Sequence, residues 1–389
     1  MYLIYRWVIR VIYALLRFLP TKNRVAFLSR QSNRPSLDFE LLESALRDQL
    51  VGWEFKAECY RDTNSQLIRV AGTLRQLILV ATSKLCVVDG YTPAVSVPNL
   101  DSSTVVVQLW HALGALKRFG WQAVGSADGR TEKQAARLCM HRNYSAIIAG
   151  GEGARDAYAQ AFGYPPEKII PLGMPRADYL MECDKGDEAS ERKHASAAIV
   201  KRYPQVAGER VNVLFVPTFR REIGSANVER YAQDLAAHLP AKTSNLIVAF
   251  HPFSEHNGEA AAKADSETRA PIIHIPHTKG IDLLGIADYV ITDYSAIAFE
   301  AALLRRKVLF FVPDIEDYRV SPGLNVDPEQ QFPAISFKDA AALTRYMHDD
   351  RQEGQYAASG FWQYCDSYLT QPTLGATQRI AAYLAELVA

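Results

Sequence analysis

The sequence predicts an α/β protein with two parallel sheets, on three observations. Short aliphatic and β-branched runs alternate with helical stretches along nearly the whole chain, the pattern of parallel strands joined by crossover helices. The strands read as continuous apolar runs, as strands covered on both faces do. A charged, helix-breaking segment at 182–193 (ECDKGDEASERK) divides the series in two. The 389 residues suffice for two domains. We place the crossing near 175–200, with residues 1–20 as an N-terminal amphipathic helix. Rossmann-like domains are expected over 21–180 and 195–372, and a helix at 373–389 is expected to pack back across the junction.

Residues 2–19 (YLIYRWVIRVIYALLRFL) are apolar apart from Arg6, Arg10 and Arg17. At 100° per residue these fall within roughly 40° of one another on a helix. Such a helix suits a membrane interface, its arginines toward anionic headgroups. A transmembrane span would hold Arg10 near its centre at a cost of about 2.5–3.5 kcal/mol. A signal peptide would need a small-residue cleavage site, and a packed helix would have to bury much surface at the extreme N-terminus.

In the first domain the sequence predicts strands at 24–29, 53–60, 85–89, 104–109 and 146–149, and helices at 38–50 and 67–83. A turn at Gly150-Gly151-Glu152-Gly153 leads into a helix from 154. In the second, strands are expected at 211–216, 245–250, 271–275, 289–292 and 307–312, a helix at 296–305 and a last helix at 377–387. Lys+Arg and Asp+Glu balance at 43 each, which argues against a nucleic-acid binder. Five scattered cysteines form no C-x-x-C pair, so no zinc ribbon or disulfide scaffold is indicated, and a reducing cytosol fits.

Polar residues collect where these strands end, and open α/β sheets bind ligands there. His111 follows strand 104–109 in LWHALGALKRFG, where a neutral imidazole could take a proton from an attacking hydroxyl. Gly114 lets a ligand approach the backbone, and Lys117 could meet a phosphate. Thr218 and Arg220 follow strand 211–216, and Arg220 could clamp a phosphate with paired donors. His251 follows 245–250, and His277 and Thr278 follow 271–275. After 289–292 come Asp293 and Ser295, with Thr292 closing the strand; these can cap the next helix or offer hydroxyls to a phosphate at its N-terminus. Glu300 could accept from a ribose hydroxyl. Each residue also has a plain reading as a cap, a loop side chain or a solvated charge. His251, His274 and His277 could gather on a metal, but no H-x-x-x-H spacing or nearby carboxylate supports one, and no metal is expected.

In order, LWHALGALKRFG, PLGMPRADYL, FVPTFRR, AFHPF, ITDYSAIAFE and FFVPDIEDY resemble the motifs of CDP-glycerol glycerophosphotransferases, the primases and polymerases of wall teichoic acid and related capsules. The resemblance covers residues 104–370, and the W-H-A-x-G-x-L-K-x-F-G form is most similar to the primase branch. It implies a GT-B fold, two Rossmann-like domains facing a cleft, and a peripheral enzyme on the cytoplasmic face of the membrane. It implies transfer of glycerol phosphate from CDP-glycerol to an undecaprenyl-pyrophosphate-linked disaccharide, releasing CMP. No cofactor is expected beyond the donor, with the divalent-metal requirement left open. His111 then matches the base, Thr218, Arg220, His251 and Ser295 the donor-phosphate loops, and Glu300 an acidic position near ribose or glycerol. The chain departs from the pattern at Ala249, Ala296, Arg221 and Gly151, which leaves CDP-ribitol open as donor. A polymerase, a nucleotide-sugar transferase of the same fold and a membrane-docked module with a degenerate site are the alternatives.

Overall fold

A computed structural model describes residues 2–62, 65–127, 129–184, 191–218, 224–249, 268–276 and 278–389. The first sheet contains β1 (Lys22–Ser29), β2 (Glu54–Cys59), β3 (Ser83–Val88), β4 (Val105–Gln108), β5 (Ala146–Ile148) and β6 (Ile169–Ile170). They are ordered β2-β1-β3-β4-β5-β6, each parallel to its neighbours. The second contains β7 (Val211–Val216), β8 (Ser244–Val248), β9 (Ile272–His274), β10 (Tyr289–Thr292), β11 (Lys307–Phe311) and β12 (Ser336–Phe337). Their order is β12-β11-β10-β7-β8-β9, again all parallel. The expected strands are all present. The two-residue β6 and β12 escaped the sequence reading because so short a run carries no periodicity.

The chain divides into two compact units. The first holds Met1–Gly114, Arg118–Asp178 and Tyr368–Ala389, and the second Ala115–Lys117 and Tyr179–Ser367. Strand order reverses between β1 and β3 in the first and between β7 and β10 in the second; open α/β sheets place their ligand crevices at such switch points.

The first unit has a core of Phe27, Leu85, Val87 and Val107 from the sheet, and Phe39, Leu42 and Leu46 from α2 (Leu37–Gln49). Ile380 and Leu384 of the C-terminal helix Ala376–Val388 complete it. Two side chains of the PRAD stretch hold this assembly. Asp178 accepts from the backbone N–H groups of Ala376 (3.1 Å) and Thr377 (2.7 Å), capping a helix whose N-cap, Gly375, has no side chain to do so. Arg176 bonds the buried Asp38 of α2 through its own N–H and Nε, each at 2.9 Å. The glycines after β5 serve the same return of the chain. A Cβ on Gly151 would lie 2.2 Å from the Tyr368 carbonyl oxygen, and one on Gly153 would lie 2.4 Å from the Tyr368 ring.

The N-terminal helix α1 (Tyr2–Leu16) overturns the expected orientation of its arginines. Arg10 Nε donates to the Val97 carbonyl at 3.1 Å, and Arg17 pairs with Asp101 at 3.2 Å. The Tyr13 hydroxyl accepts from Asp101 N at 3.3 Å. The basic face therefore lies on the protein because segment 97–101 offers acceptors, while long arginine stems pack well on apolar surface. The outer face carries Leu3, Ile4, Trp7, Val11, Leu15 and Phe18, with Trp7 65 % exposed. Among the described residues no helix is long and apolar enough to cross a membrane.

Leu384 is fully buried. Leu384→Ala should lower the stability of the first unit by about 2–5 kcal/mol, seen as an earlier midpoint in urea unfolding. An unchanged midpoint would place the helix outside the core.

Candidate functional site

β4 runs parallel to β3 with Gln108 level with Val88, which brings the residues after each strand together. His111 is exposed, and its Nδ1 lies 2.8 Å from the carbonyl oxygen of Asp89. A carbonyl can only accept, so Nδ1 carries the hydrogen and a neutral ring keeps its lone pair on Nε2. The exposed imidazole thus has its tautomer fixed by the backbone of Asp89. The residue before it, Trp110, has φ of 62°. This left-handed conformation costs a non-glycine residue about 1–2 kcal/mol. It is held by a bond from Trp110 N to Gln108 Oε1 (2.9 Å) and by stacking of the indole on Phe119, centroids 4.8 Å apart.

Asp89 turns its carboxylate the other way. Oδ2 accepts from Ser29 Oγ at 2.8 Å, bridging the ends of β1 and β3 across the switch point. Burial pushes the Asp89 carboxyl up to about 7, reinforced by nearby Asp38 and opposed by the Ser29 bond and by Arg176.

The second switch point has the same kind of bridge. Asp293 Oδ1 accepts from Thr218 N (2.8 Å), Thr218 Oγ1 (2.6 Å) and Tyr294 N (2.6 Å), so one buried carboxylate oxygen ties the loop after β7 to the loop after β10. Charge-assisted bonds of this kind are stronger than neutral ones.

Residues 11–386 match the model of the family described as CDP-Glycerol:Poly(glycerophosphate) glycerophosphotransferase. The chain belongs to that family. A teichoic acid ribitol-phosphate primase of Bacillus spizizenii is 27% identical over 79% of the chain and 76% of the primase. A teichoic acid glycerol-phosphate primase of Bacillus subtilis is 25% identical over 69% of the chain and 66% of that protein. The poly(ribitol-phosphate) polymerase of B. spizizenii is 29% identical, and the chain spans 48% of its length. Among solved structures, the wall teichoic acid polymerase TagF soaked with CDPG superposes with a TM-score of 0.71 at 16% identity, over 98% of this chain and 93% of that one. The UDP-GlcNAc 2-epimerase of Neisseria meningitidis gives 0.60 at 13%, over 93% of this chain and 100% of that one. These likenesses establish the fold as GT-B.

Against the family's pattern, the structure sorts the candidate residues. His111 faces outward. Arg220, His251 and His277 lie outside the described residues. Gly114 is buried, and the stretch after it is held by its backbone: Leu116 O accepts from Asn325 N (2.7 Å) and Lys117 O from Asn325 Nδ2 (3.1 Å), with the Lys117 side chain half-buried. Thr278 is half-buried, its hydroxyl 3.4 Å from the Pro276 carbonyl.

Thr292 does not offer its hydroxyl to a ligand as expected. It is fully buried and donates to Val216 O at 2.7 Å, pinning β10 to β7. Thr218 and Asp293 are likewise committed to each other. The helix expected over 296–305 spans only Ile297–Leu303, and Ala296, not Ser295, takes the N-cap position, without a side-chain bond. Ser295 Oγ lies 3.5 Å from Ile297 N, too long for a firm cap, and this hydroxyl is half-buried. Glu300 is buried on the same helix, 4% exposed.

Ser29, Asp89, Gln108 and Trp110 were not anticipated. A glutamine in the otherwise apolar run TVVVQL was the available signal, because a buried polar side chain must find partners.

The raised Asp89 pKa fixes the sign of a pH effect. The unfolded chain ionises near pH 4 and the folded one near pH 7, so the native state holds the extra proton between them. Its contribution to stability is complete below about pH 4 and is lost as pH rises through about 7. Asp89→Asn should remove that slope. Urea midpoints of the two proteins compared across this range should diverge, the wild type falling faster toward neutral pH; parallel curves would refute the shift.

Proposed function

We propose that this protein transfers a polyol phosphate from a CDP-polyol to a hydroxyl of an undecaprenyl-pyrophosphate-linked disaccharide, releasing CMP, on the cytoplasmic face of the membrane. The observation that carries this reading, in a chain of this family, is the exposed His111 ring with its hydrogen on Nδ1 and its lone pair on Nε2. Nε2 takes the proton of the acceptor hydroxyl, whose oxygen attacks the donor phosphorus bearing the polyol. The bond from that phosphorus to the bridging oxygen breaks, CMP leaves with the electron pair, and a phosphodiester is formed. Arg220, His251 and Ser295 are the proposed holders of the diphosphate, and Thr278 and Lys117 further polar groups for it. Positioning and stabilisation of charge supply most of the rate in phosphoryl transfers. No metal enters this scheme.

The donor is read as CDP-glycerol and the role as that of a primase. CDP-ribitol is the specific rival, because a ribitol-phosphate primase aligns over 76% of its own length. Incubation with each donor and a lipid-linked disaccharide, followed by mass measurement, separates these. One added glycerol phosphate supports the reading, a ribitol phosphate changes the donor, and a ladder makes the protein a polymerase. UDP or GDP release from a nucleotide sugar, or binding without turnover, would replace the reading altogether. His111→Ala should reduce CMP release by about 10²-fold or more while the donor still binds in calorimetry. Turnover near the wild-type rate would remove His111 from the role of base.

The lipid acceptor gives α1 a purpose. We place its apolar face, with Trp7 and Leu15 outward, in the interfacial region of an anionic bilayer, where buried apolar area drives binding. Trp7→Glu with Leu15→Glu should move the protein from the pellet to the supernatant in sedimentation with anionic vesicles, and unaltered sedimentation would refute the placement.

A further inference from the structure

We infer that Gln108 is a positioning residue that aims the His111 imidazole by clamping both sides of the turn that carries it. Gln108 closes β4 and is fully buried. Its Oε1 accepts from Trp110 N at 2.9 Å, and its Nε2 donates to Gly90 O at 3.2 Å and to the Tyr144 hydroxyl at 2.9 Å. The amide has only one possible orientation, since a backbone N–H can only donate and a carbonyl can only accept. Gly90 directly follows Asp89, whose carbonyl holds His111 Nδ1. One side-chain amide therefore links the residue before His111 to the peptide after the carbonyl that fixes its ring.

The clamp is itself supported. The Tyr144 hydroxyl that accepts from Gln108 also lies within hydrogen-bond distance of Nδ1 of His141, 3.1 Å away. His141 is buried, and burial, with Arg130 nearby, holds its pKa down to about 3, so the ring is neutral and can accept. The same ring stands edge-on to Trp110, centroids 6.2 Å apart. The network thus holds a left-handed tryptophan in place, and such strain persists only where surrounding structure over-determines it. A merely structural glutamine would need partners, but not partners on both flanks of the base.

The inference rests on the reading of His111 as base, and the test separates the two. Gln108→Glu keeps an acceptor for Trp110 N but sets an oxygen against Gly90 O. Gln108→Leu loses both contacts. Tyr144→Phe leaves Gln108 bonded to Trp110 and Gly90 but removes its third partner. In the full-length protein, CMP release is followed as kcat and KM across pH, and the His111 ring nitrogens are followed by 15N NMR. Both Gln108 variants should lower kcat roughly 10²-fold with KM for the donor near wild type, and shift the acid limb of kcat. The nitrogen spectrum should change from a single Nδ1–H form to a mixture of tautomers. Tyr144→Phe should produce a smaller change of the same kind. Wild-type kcat with an unaltered His111 spectrum overturns the inference, and if neither Gln108 variant folds, an unaltered spectrum in Tyr144→Phe does so. If His111→Ala retains turnover while the Gln108 variants still alter the His111 spectrum, the base assignment falls and the positioning role stands.

Discussion

The bond from His111 Nδ1 to the Asp89 carbonyl is the contact on which the first unit's site depends. Its acceptor is a backbone oxygen, so ionisation cannot switch it off. It exists because β3 and β4 are parallel neighbours in level register, which makes the end of one strand the seat for the first side chain beyond the other. Orientation thus comes from the register of the sheet and not from a carboxylate on a loop. Sites supported in this way lose least to side-chain motion.

Both switch points are closed by a hydroxyl on a carboxylate, Ser29 on Asp89 and Thr218 on Asp293. At such points the connections on either side run to opposite faces and leave the strand ends without a covering loop. In each unit a short bridge holds the two strand ends together. The polar groups that look most like ligands in the second unit, Thr218, Thr292 and Asp293, are therefore spent within the protein. Ser295 and Thr278 remain half-buried, at the same edge of the sheet.

The N-terminal helix shows how tertiary partners reassign a face. A charged stripe beside a wide apolar surface suggests cations toward headgroups. Segment 97–101 offers a carbonyl and a carboxylate, and Arg10 and Arg17 turn to them. The apolar side is left outward, so the helix meets its surroundings through Trp7, Val11 and Leu15.

The sequence by itself determined the α/β class, the strands of both sheets except β6 and β12, and the helices at 38–50, 67–83 and 377–387, because burial on two faces leaves unbroken apolar runs in a single stretch of chain; the helices Gly224–His238 and Ala340–Glu353 were not read from it. It also determined that His111 follows a buried strand, and that the family motifs occur in order. Only the tertiary structure decided the tautomer of His111, the internal use of Thr292 and Asp293, the seven-residue span of the helix after β10, the direction of the arginines on α1 and the role of Gln108. Each of these is a pairing between polar groups from segments distant in sequence or between competing local partners. Local periodicity records whether a side chain will be buried, but the donor or acceptor it meets there is supplied by another strand.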